Sequence, residues 1–236
     1  MAAIAIIPAR GGSKRIPKKN IMDFCGKPMI AWTIDAAIKS EKFERIIVST
    51  DDQSIADTAI QFGAEVPFLR EKYSDDITPV SEATLFALSQ AELYYQEEYE
   101  TVAQLMANCP LRGEQAIQSS IESFANSGSH FSISAFKFGW MNPWWAAKID
   151  KQGVPTPMFP EALTQRSQDL SELYCPTGAI WLANVDAIKN SQTFYGDDYR
   201  FTPISWVDAL DIDDYDDLAM AKALAMNLGR QRSSDE

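Results

Sequence analysis

Ten positions near the N-terminus hold five basic side chains in a protein that is otherwise strongly acidic. The whole chain of 236 residues has 21 Lys and Arg against 33 Asp and Glu, a formal net charge of −12. Glycines let backbone N–H groups approach phosphate oxygens, and ammonium and guanidinium groups neutralise them. This segment, residues 9–20 and here called the basic loop, therefore predicts a site for a small polyanion. Its basic residues are Arg10, Lys14, Arg15, Lys18 and Lys19, interrupted by Gly11, Gly12, Ser13 and Pro17.

The glycine spacing of the basic loop excludes the two common phosphate-binding loops. Residues 11–14, GGSK, lack the spacing G-x-x-x-x-G-K-[ST], and no third glycine completes G-x-G-x-x-G. A solvated basic turn between a strand and a helix is the alternative. We favour phosphate binding because the loop follows an apolar, β-branched run at residues 4–7. Such a run is typical of a buried strand, and open α/β sheets bind ligands where their strands end.

A second pattern with chemical potential is the pair Asp211 and Asp213, separated by Ile212. In a strand, the period of two places both carboxylates on one face and turns the isoleucine into the core. Two adjacent carboxylates repel each other, and a divalent cation removes that cost; Mg²⁺ commonly binds one or two carboxylates together with substrate phosphates. An EF-hand is excluded, because the sixth position counted from Asp211 is not glycine and the twelfth is Lys222. The acidic residues that follow are interpreted as a favourable helix N-terminus: Asp214, Asp216 and Asp217.

Hydrophobic periodicity predicts an alternation of strands and helices with short links. That order is typical of a three-layer, Rossmann-like α/β fold with a mostly parallel sheet covered on both faces. Ser54 is the expected N-cap of the second helix and Gly63 its end. The predicted strands cover residues 4–7, 43–49, 64–69, 101–106, 131–135, 178–182, 201–206 and 209–213. The predicted helices cover residues 29–39, 54–63, 80–95, 114–126 and 215–228.

We expect a single domain over residues 1–228, with an irregular arm at about 136–176 and a flexible tail at 229–236. The arm is rich in proline and contains Trp140, Trp144 and Trp145. Exposed aromatic side chains on such an arm would form a surface for a partner, and the alternative is that they cap the core.

Composition limits the classes of function. An acidic chain is unsuited to a general nucleic-acid or anionic-membrane surface, although one local anion site is compatible with it. The N-terminus lacks the features of a signal peptide, and no apolar stretch approaches the ~20 residues of a membrane helix. Three cysteines without a C-x-x-C spacing indicate free thiols. We therefore expect a soluble cytoplasmic protein.

Several motifs together closely resemble one family, the cytidylyltransferases that activate nine-carbon acidic sugars such as sialic, pseudaminic and legionaminic acids. The resemblance extends over nearly the whole chain. It is carried by IIPARGGSKRIPKKN at 6–20, VSTDD at 48–52, AEVPFLR at 64–70, RSQDL at 166–170, TGAIW at 177–181 and DIDDYDDL at 211–218. It implies coupling of CTP to a nonulosonic acid, giving the CMP-sugar and pyrophosphate. It also implies a homodimer in which the arm forms the interface and lends residues to the neighbour's sugar site.

The resemblance also assigns roles to residues. Asp211 and Asp213 are the implied Mg²⁺ ligands, and Arg10, Lys19 and Asp211 the implied catalytic residues. No general base is evident, since the sole histidine, His130, begins a predicted buried strand; a metal-bound hydroxide and Asp211 are the candidates. The implied nucleotide-binding residues are Ala9, Arg10, Gly11, Gly12, Ser13, Lys19, Asn20, Arg70, Thr78 and Ser81.

Contacts to the sugar are implied at Asn108, Arg166, Gln168, Thr177 and Gly178. The planar fork of Arg166 suits the sugar's carboxylate, and a surface salt bridge is the commoner alternative for such a residue.

The chain departs from the sialic acid members at three positions. Met106 replaces a glutamine that contacts the sugar, Thr177 an asparagine, and Cys175 an arginine often found nearby. RSQDL is closer to pseudaminic acid enzymes, whereas TGAIW is closer to sialic and legionaminic ones. The alternatives are therefore a cytidylyltransferase for pseudaminic, legionaminic or the eight-carbon acid KDO, a nucleotidyltransferase using another base, and an inactive nucleotide-binding module.

Overall fold

The computed structural model describes residues 2–73 and 78–229, and these residues form ten β-strands and seven α-helices. The strands are β1 (Ala3–Pro8), β2 (Asp23–Phe24), β3 (Lys27–Pro28), β4 (Arg45–Ser49), β5 (Thr101–Gln104), β6 (Phe131–Lys137), β7 (Ala147–Ile149), β8 (Pro155–Pro157), β9 (Tyr174–Asn184) and β10 (Arg200–Pro203). The helices are α1 (Met29–Ser40), α2 (Gln53–Gln61), α3 (Val80–Tyr95), α4 (Glu114–Ser127), α5 (Val185–Ser191), α6 (Trp206–Ala209) and α7 (Tyr215–Asn227).

Six strands form the central sheet in the order β10-β6-β9-β5-β1-β4. β1 pairs in parallel with β4 and β5, and β10 pairs in parallel with β6. β9 is antiparallel to both of its neighbours, β5 and β6. The carboxyl ends of five strands and the amino end of β9 therefore lie at one edge of the sheet. The pairs β2-β3 and β7-β8 form two small separate hairpins.

Both faces of the sheet are covered, as the alternation along β1 shows. Ala5 and Ile7 pack in one buried cluster with residues of α1, α2 and α4. Ile4 and Ile6 pack in a second cluster with residues of α3 and α5. All four side chains are buried, which explains why β1 reads as a continuous apolar run. The predicted three-layer α/β fold with a mostly parallel sheet is confirmed.

A third buried cluster joins distant parts of the chain. Ile16 of the basic loop is 1% exposed, and it belongs to the same cluster as Ile212 and the α7 residues Leu218 and Ala221. Apolar contact thus fixes the basic loop relative to the segment that carries Asp211 and Asp213.

Most predicted elements exist close to their predicted bounds, and α3 matches at both ends. The cap of α2 differs from the prediction. Asp52 is the N-cap, because its carboxylate accepts hydrogen bonds from the backbone N–H groups of Ser54 and Ile55. The acidic run after Asp213 does form a helix N-terminus, with Asp214 and Asp217 in a capping box.

The predicted strand at 64–69 is wrong. Glu65 alone bridges Ile47, through the bonds Glu65 N–H to Ile46 O and Val48 N–H to Glu65 O. Two residues later Pro67 has no N–H to donate, so the ladder cannot continue.

The predicted strands at 201–206 and 209–213 also require correction. The first ends at Pro203 and is followed by the short helix α6, capped by Ser205. Residues 210–213 form an extended link between α6 and α7 and belong to no strand. The predicted alternation nevertheless survives there, because Ile212 is buried while Asp211 is exposed and Asp213 half-buried.

The arm leaves the sheet after β6 and returns at β9. It contains the β7-β8 hairpin and three short 3₁₀ turns. Large apolar side chains on it face solvent, including Trp140 (84% exposed) and Ile149 (71% exposed). Among the described residues, no helix is both long enough and apolar enough to cross a membrane. The predicted tail lies outside the described residues from position 230 onwards.

Candidate active site

The segments that follow the parallel strands converge on a cleft of about 530 Å³. The basic loop follows β1, Arg70 comes after the segment that bridges β4, and the loop 105–112 follows β5. The N-terminal end of α3 forms another wall. The lining residues are Pro8, Arg10, Ser13, Lys14, Arg15, Lys19, Asn20, Arg70, Tyr73, Thr78, Val80, Ala83, Met106, Ala107, Asn108 and Asp213.

The charge of this cleft is opposite to that of the protein. Among the described residues, five cationic side chains line it, at positions 10, 14, 15, 19 and 70, against one carboxylate, that of Asp213. The N-terminus of the 16-residue helix α3 also faces it, through Thr78 and Val80. A helix N-terminus carries a partial positive charge, so it adds to the attraction for anions.

The basic loop is tied to the end of β4. The Ala9 N–H donates to Ser49 O at 2.9 Å, and the Gly11 N–H donates to an Asp51 carboxylate oxygen at 2.9 Å. A Cβ atom at Gly11 would lie 2.7 Å from Oδ2 of Asp52, so only glycine fits there without displacement. These contacts fix the direction in which the loop leaves the sheet.

Lys19 and Asn20 hydrogen-bond to the two segments of the site, the acidic link and the start of the basic loop. Lys19 Nζ donates to Ile212 O at 2.7 Å and to Asp213 Oδ1 at 3.0 Å, across 193 and 194 residues of sequence. Asn20 Nδ2 donates to Arg10 O at 3.0 Å, which closes the basic loop on itself. The basic loop and the acidic link 211–213 are therefore one structural unit.

The two carboxylates of this link have different electrostatic environments. Desolvation, followed by the negative charge of Asp213, raises the pKa of Asp211. Partial burial also acts to raise the pKa of Asp213, but hydrogen bonds and charge from Lys19 and Arg15 outweigh it, and the net shift is downwards. Arg15 contacts Asp213 Oδ2 at 2.7 Å. The charged form is therefore favoured at Asp213 and disfavoured at Asp211.

Arg70 is 4% exposed, yet its hydrogen bonding is incomplete. Its Nη1 lies 3.4 Å from both the backbone oxygen and Oγ of Ser49, and its Nε has no partner among the described residues. Burial lowers its pKa, and the charge of Asp51 opposes that shift. A buried guanidinium with an unused donor beside a cleft is suited to bind an oxygen of a ligand.

Asn108 connects the loop after β5 to the acidic link. It is 5% exposed, and its Nδ2 donates to Ile212 O at 3.2 Å and to Asp213 Oδ1 at 3.4 Å. Both of these partners are acceptors, so the amide nitrogen must face them and the amide oxygen faces away. That oxygen has no partner among the described residues. Asn108 therefore holds the loop 105–112 to the acidic link and keeps one buried acceptor unpaired among the described residues.

The remaining predicted sugar residues lie outside the lining of the cleft. Thr177 Oγ1 donates to Ala209 O at 3.0 Å and so holds the start of β9 to α6. Gly178 makes room for Met106, whose Cγ would lie 3.0 Å from a Cβ at that position. Arg166, on the arm, makes an exposed double contact with Asp169 at 2.6 and 3.1 Å. Gln168 is exposed beside it.

Within the predicted nucleotide set, Arg10, Ser13, Lys19, Asn20, Arg70 and Thr78 line the cleft, whereas Ala9, Gly11, Gly12 and Ser81 do not. Asp213 lines it and Asp211 lies two residues away in the same link. His130 is exposed and contacts Asp198 at 2.9 Å, so it does not belong to the buried strand.

Sequence reasoning gave no individual role to Arg15 or Asp51. The signal for Arg15 was its place among the five basic residues, and the signal for Asp51 was its place after a strand end. Their partners are distant in sequence, so neither contact was readable from spacing.

The donor set at the acidic link fits a hard cation such as Mg²⁺. Among the described residues, no group of three or more His, Cys, Asp or Glu side chains forms a cage. Mg²⁺ does not need one, because one or two carboxylates with substrate phosphates are its common ligands. Asp211 and Asp213 would supply the carboxylates.

Comparisons with known proteins agree with this geometry. Residues 4–167 match the family described as Cytidylyltransferase. The chain is 37% identical over 232 residues to the pseudaminic acid cytidylyltransferase of Campylobacter jejuni (strain 81-176), covering 95% of this chain and 96% of that one. It is 35% identical over 239 residues to the CMP-N,N'-diacetyllegionaminic acid synthase of Legionella pneumophila, with the same coverage of 95% and 96%.

A solved structure has the same fold at low sequence identity. It is a CMP:2-keto-3-deoxy-manno-octonic acid synthetase complexed with CTP, with a TM-score of 0.69 and 17% identity. The alignment covers 97% of this chain and 100% of that one. The fold, the cationic cleft and the family match lead to one conclusion: this chain belongs to the cytidylyltransferase family and is a nucleotidyltransferase.

Proposed function

We propose that this protein transfers the cytidylyl group of CTP to a nonulosonic acid of the pseudaminic or legionaminic type, giving the CMP-sugar and pyrophosphate. The observation that carries the proposal is the cleft itself. Among the described residues, five cationic side chains line it together with residues of the loop 105–112 and Asp213 of the acidic link. The substrate class is supported by relatives named for pseudaminic and legionaminic acids at 37% and 35% identity. We also propose that the reaction takes place in the cytoplasm.

In the proposed reaction the anomeric hydroxyl of the sugar acid attacks the α-phosphorus and a new P–O bond forms. The bond between the α-phosphorus and the oxygen bridging to the β-phosphate breaks, pyrophosphate leaves, and the hydroxyl proton passes to a base, for which the Asp211 carboxylate is the candidate. Such transfer depends mainly on positioning and on neutralising charge at the phosphates. Arg10 and Lys19 stabilise the phosphates and the leaving group, while Arg70 uses its free donor on the nucleotide. The basic loop and the N-terminus of α3 contribute backbone N–H groups.

Asp211 and Asp213 would hold Mg²⁺, which would supply positive charge to the triphosphate and the leaving group. Lys19 keeps Asp213 in place, because its side chain is only 14% exposed and its ammonium group also donates to Ile212 O. Asn108 fixes the same segment from the opposite side. These residues position the carboxylates before any ligand arrives.

The wall beside Asn108 supports the choice of sugar. Met106 lines the cleft and presents no hydrogen-bonding group where the sialic acid members carry a glutamine. A sugar that requires two hydrogen bonds at this position loses them here.

The reaction is tested by pyrophosphate release from CTP and Mg²⁺ with N-acetylneuraminic, legionaminic, pseudaminic and KDO acids. Release with pseudaminic or legionaminic acid, faster than with the other two, is the expected result. Fastest release with N-acetylneuraminic acid or KDO would overturn the sugar assignment. Absence of release with all four, together with saturable CTP binding, would favour an inactive nucleotide-binding module.

We further propose that the protein is a homodimer in which each arm serves the neighbour's cleft. Two features support this: the arm exposes Trp140 and Ile149, and it carries Arg166 and Gln168 outside the cleft of their own chain. The carboxylate of Asp169, which now pairs with Arg166, would be replaced by that of the sugar.

Mixing two inactive variants tests the shared site. Arg166→Ala and Asp211→Asn proteins are each inactive, but a hybrid dimer has one complete site if Arg166 acts across the interface. Unfolding and refolding an equimolar mixture should then restore about a quarter of wild-type activity, as expected for random two-fold assembly. No recovery in a mixture that light scattering shows to be dimeric would place Arg166 in its own chain's site or outside the site.

A further inference from the structure

Arg15 forms an ion pair with Asp213, the carboxylate that the proposed reaction needs as a metal ligand. Its guanidinium contacts Asp213 Oδ2 at 2.7 Å, while Lys19 contacts Oδ1 at 3.0 Å. Both oxygens of one proposed metal ligand are therefore paired with cations. A divalent ion bound at Oδ2 would replace Arg15 there, because two positive groups cannot share one oxygen at contact distance without strong repulsion.

The two cations on Asp213 are held very differently. Lys19 is 14% exposed and is also bonded to Ile212 O at 2.7 Å, so it is anchored from two directions. The Arg15 side chain is 63% exposed, and Asp213 is its ion-pair partner among the described residues. Exposed pairs of this kind contribute little free energy and exchange readily. Arg15 is the cation that can leave.

Arg15 has a destination in the same cleft. It lines the cleft together with Arg10, Lys14 and Ser13, which form the phosphate-binding part of the proposed site. A guanidinium group pairs with phosphate oxygens as well as with a carboxylate, through the same planar fork of donors. Moving from Asp213 to a phosphate would leave its charge compensated.

We propose that Arg15 is an exchangeable cation: it neutralises Asp213 in the nucleotide-free protein and moves to the phosphates when the metal–nucleotide complex binds. This inference rests on the proposed function, in particular on Asp213 as a metal ligand. Arg15 then disfavours metal binding to the empty protein and favours it once nucleotide is present. Because such coupling is reciprocal, metal and nucleotide each strengthen the binding of the other.

The test measures binding in the absence of sugar, so that no turnover occurs. Mn²⁺ replaces Mg²⁺ and its free concentration is followed by electron paramagnetic resonance, with and without CTP; CTP affinity is measured separately by calorimetry in the presence of Mn²⁺. The proteins are wild type, Arg15→Gln, Asp213→Asn and the control Lys18→Gln. Lys18 belongs to the same loop and carries the same charge, but its side chain is near Asp52 rather than Asp213.

For Arg15→Gln we expect the affinities for Mn²⁺ and for CTP to change in opposite directions relative to wild type. Without CTP, its Mn²⁺ affinity should rise about two- to fivefold, the range for release of an exposed ion pair. Its affinity for CTP in the presence of Mn²⁺ should fall by roughly tenfold or more, because a charged phosphate contact is lost. Lys18→Gln should leave the nucleotide-free Mn²⁺ affinity within about twofold of wild type, since its charge acts on Asp52 and an exposed charge that does not contact the carboxylate is largely screened. A purely structural role of Arg15 would weaken both affinities together.

The outcomes that would overturn the inference differ from those that would overturn the proposed function. If Asp213→Asn abolishes Mn²⁺ binding but Arg15→Gln does not tighten it, the metal site stands and the exchange is wrong. If Arg15→Gln tightens Mn²⁺ without weakening CTP, Arg15 does not move to the phosphates. If Asp213→Asn binds Mn²⁺ as wild type does, the metal assignment fails and the exchange fails with it.

Discussion

Two arginines at opposite ends of one strand show how this fold separates stability from binding. Arg45 begins β4, and its guanidinium makes two bonds to Glu97 at 2.7 and 2.6 Å and one to Glu65 at 3.0 Å. It also lies 3.7 Å from the centre of the Tyr95 ring. Arg70 lies at the other end of β4, buried beside Ser49, with long contacts and an Nε that has no partner in the described part of the chain.

The two arginines differ in how many of their guanidinium N–H donors are hydrogen-bonded within the protein. Glu97 and Glu65 raise the pKa of Arg45, with the Glu97 hydrogen bond as the largest cause, so the network favours its charged form. Burial lowers the pKa of Arg70, and the protein only partly compensates for its desolvation. An arginine whose donors are hydrogen-bonded within the protein stabilises the fold. A buried arginine with incomplete hydrogen bonding can instead be stabilised by a ligand that supplies acceptors.

The largest predicted effect is a loss of kcat on substitution of Asp211 in the acidic link. Asp211→Asn keeps the shape of the side chain but removes a proposed metal ligand, and kcat for pyrophosphate release should fall by about 10²–10³ or more. The melting temperature should stay close to that of wild type. Asp216→Asn is the matched control, since that residue lies in the first turn of α7, and it should retain activity. Full activity of Asp211→Asn would remove this residue from the site.

Arg70→Met should weaken function without weakening the fold. The KM for CTP should rise by roughly ten- to a hundredfold, as expected for loss of a charged hydrogen bond to a ligand. The melting temperature should be unchanged or higher, because a desolvated cation whose Nε has no partner among the described residues is replaced by an apolar side chain. Steady-state kinetics and thermal unfolding measure the two quantities on one preparation. A large loss of stability with unchanged KM would mean that Arg70 is structural.

Arg45→Met should give the reverse result. Removing the centre of the network leaves Glu97 and Glu65 without their cation and should lower the melting temperature by a few degrees. The KM for CTP and kcat should remain those of wild type, because the network lies at the edge of the sheet away from the cleft. A substantial change in KM at unchanged stability would contradict the division between the two ends.

The smallest predicted effect is a dependence on pH of the difference in melting temperature between wild type and Arg45→Met. Hydrogen bonds from Arg45 and then Tyr99 lower the pKa of Glu97 from 4.5 to about 2. A carboxyl group whose pKa is lowered by folding stabilises the fold above its unfolded value and loses that contribution as pH falls. The difference in melting temperature between wild type and Arg45→Met should therefore be constant near neutral pH and shrink from about pH 4.5 towards pH 2. A difference independent of pH would indicate that packing on Tyr95, rather than the ion pairs, carries the effect.

The sequence predicted those parts of the fold that depend on local pattern. The bounds of α3 matched at both ends, and β1 was readable from its apolar run because both of its faces are buried. Errors occurred where tertiary pairing decides the outcome: Glu65 finds one partner strand before Pro67 ends the ladder, and residues 210–213 have no strand beside them.

For the site, the sequence by itself determined the chemical inventory: a cationic loop with glycines, an acidic pair and the motifs of the cytidylyltransferase family. Residue types and short spacings are local properties, so they can be read directly. Only the tertiary structure decided which of these groups meet. Lys19 reaches Asp213 across 194 residues, and Asn108 reaches it across 105, because parallel strands bring their carboxyl ends to one edge. The pairing of Arg15 with Asp213 and the unused donor of Arg70 follow from that convergence, and no spacing along the chain records them.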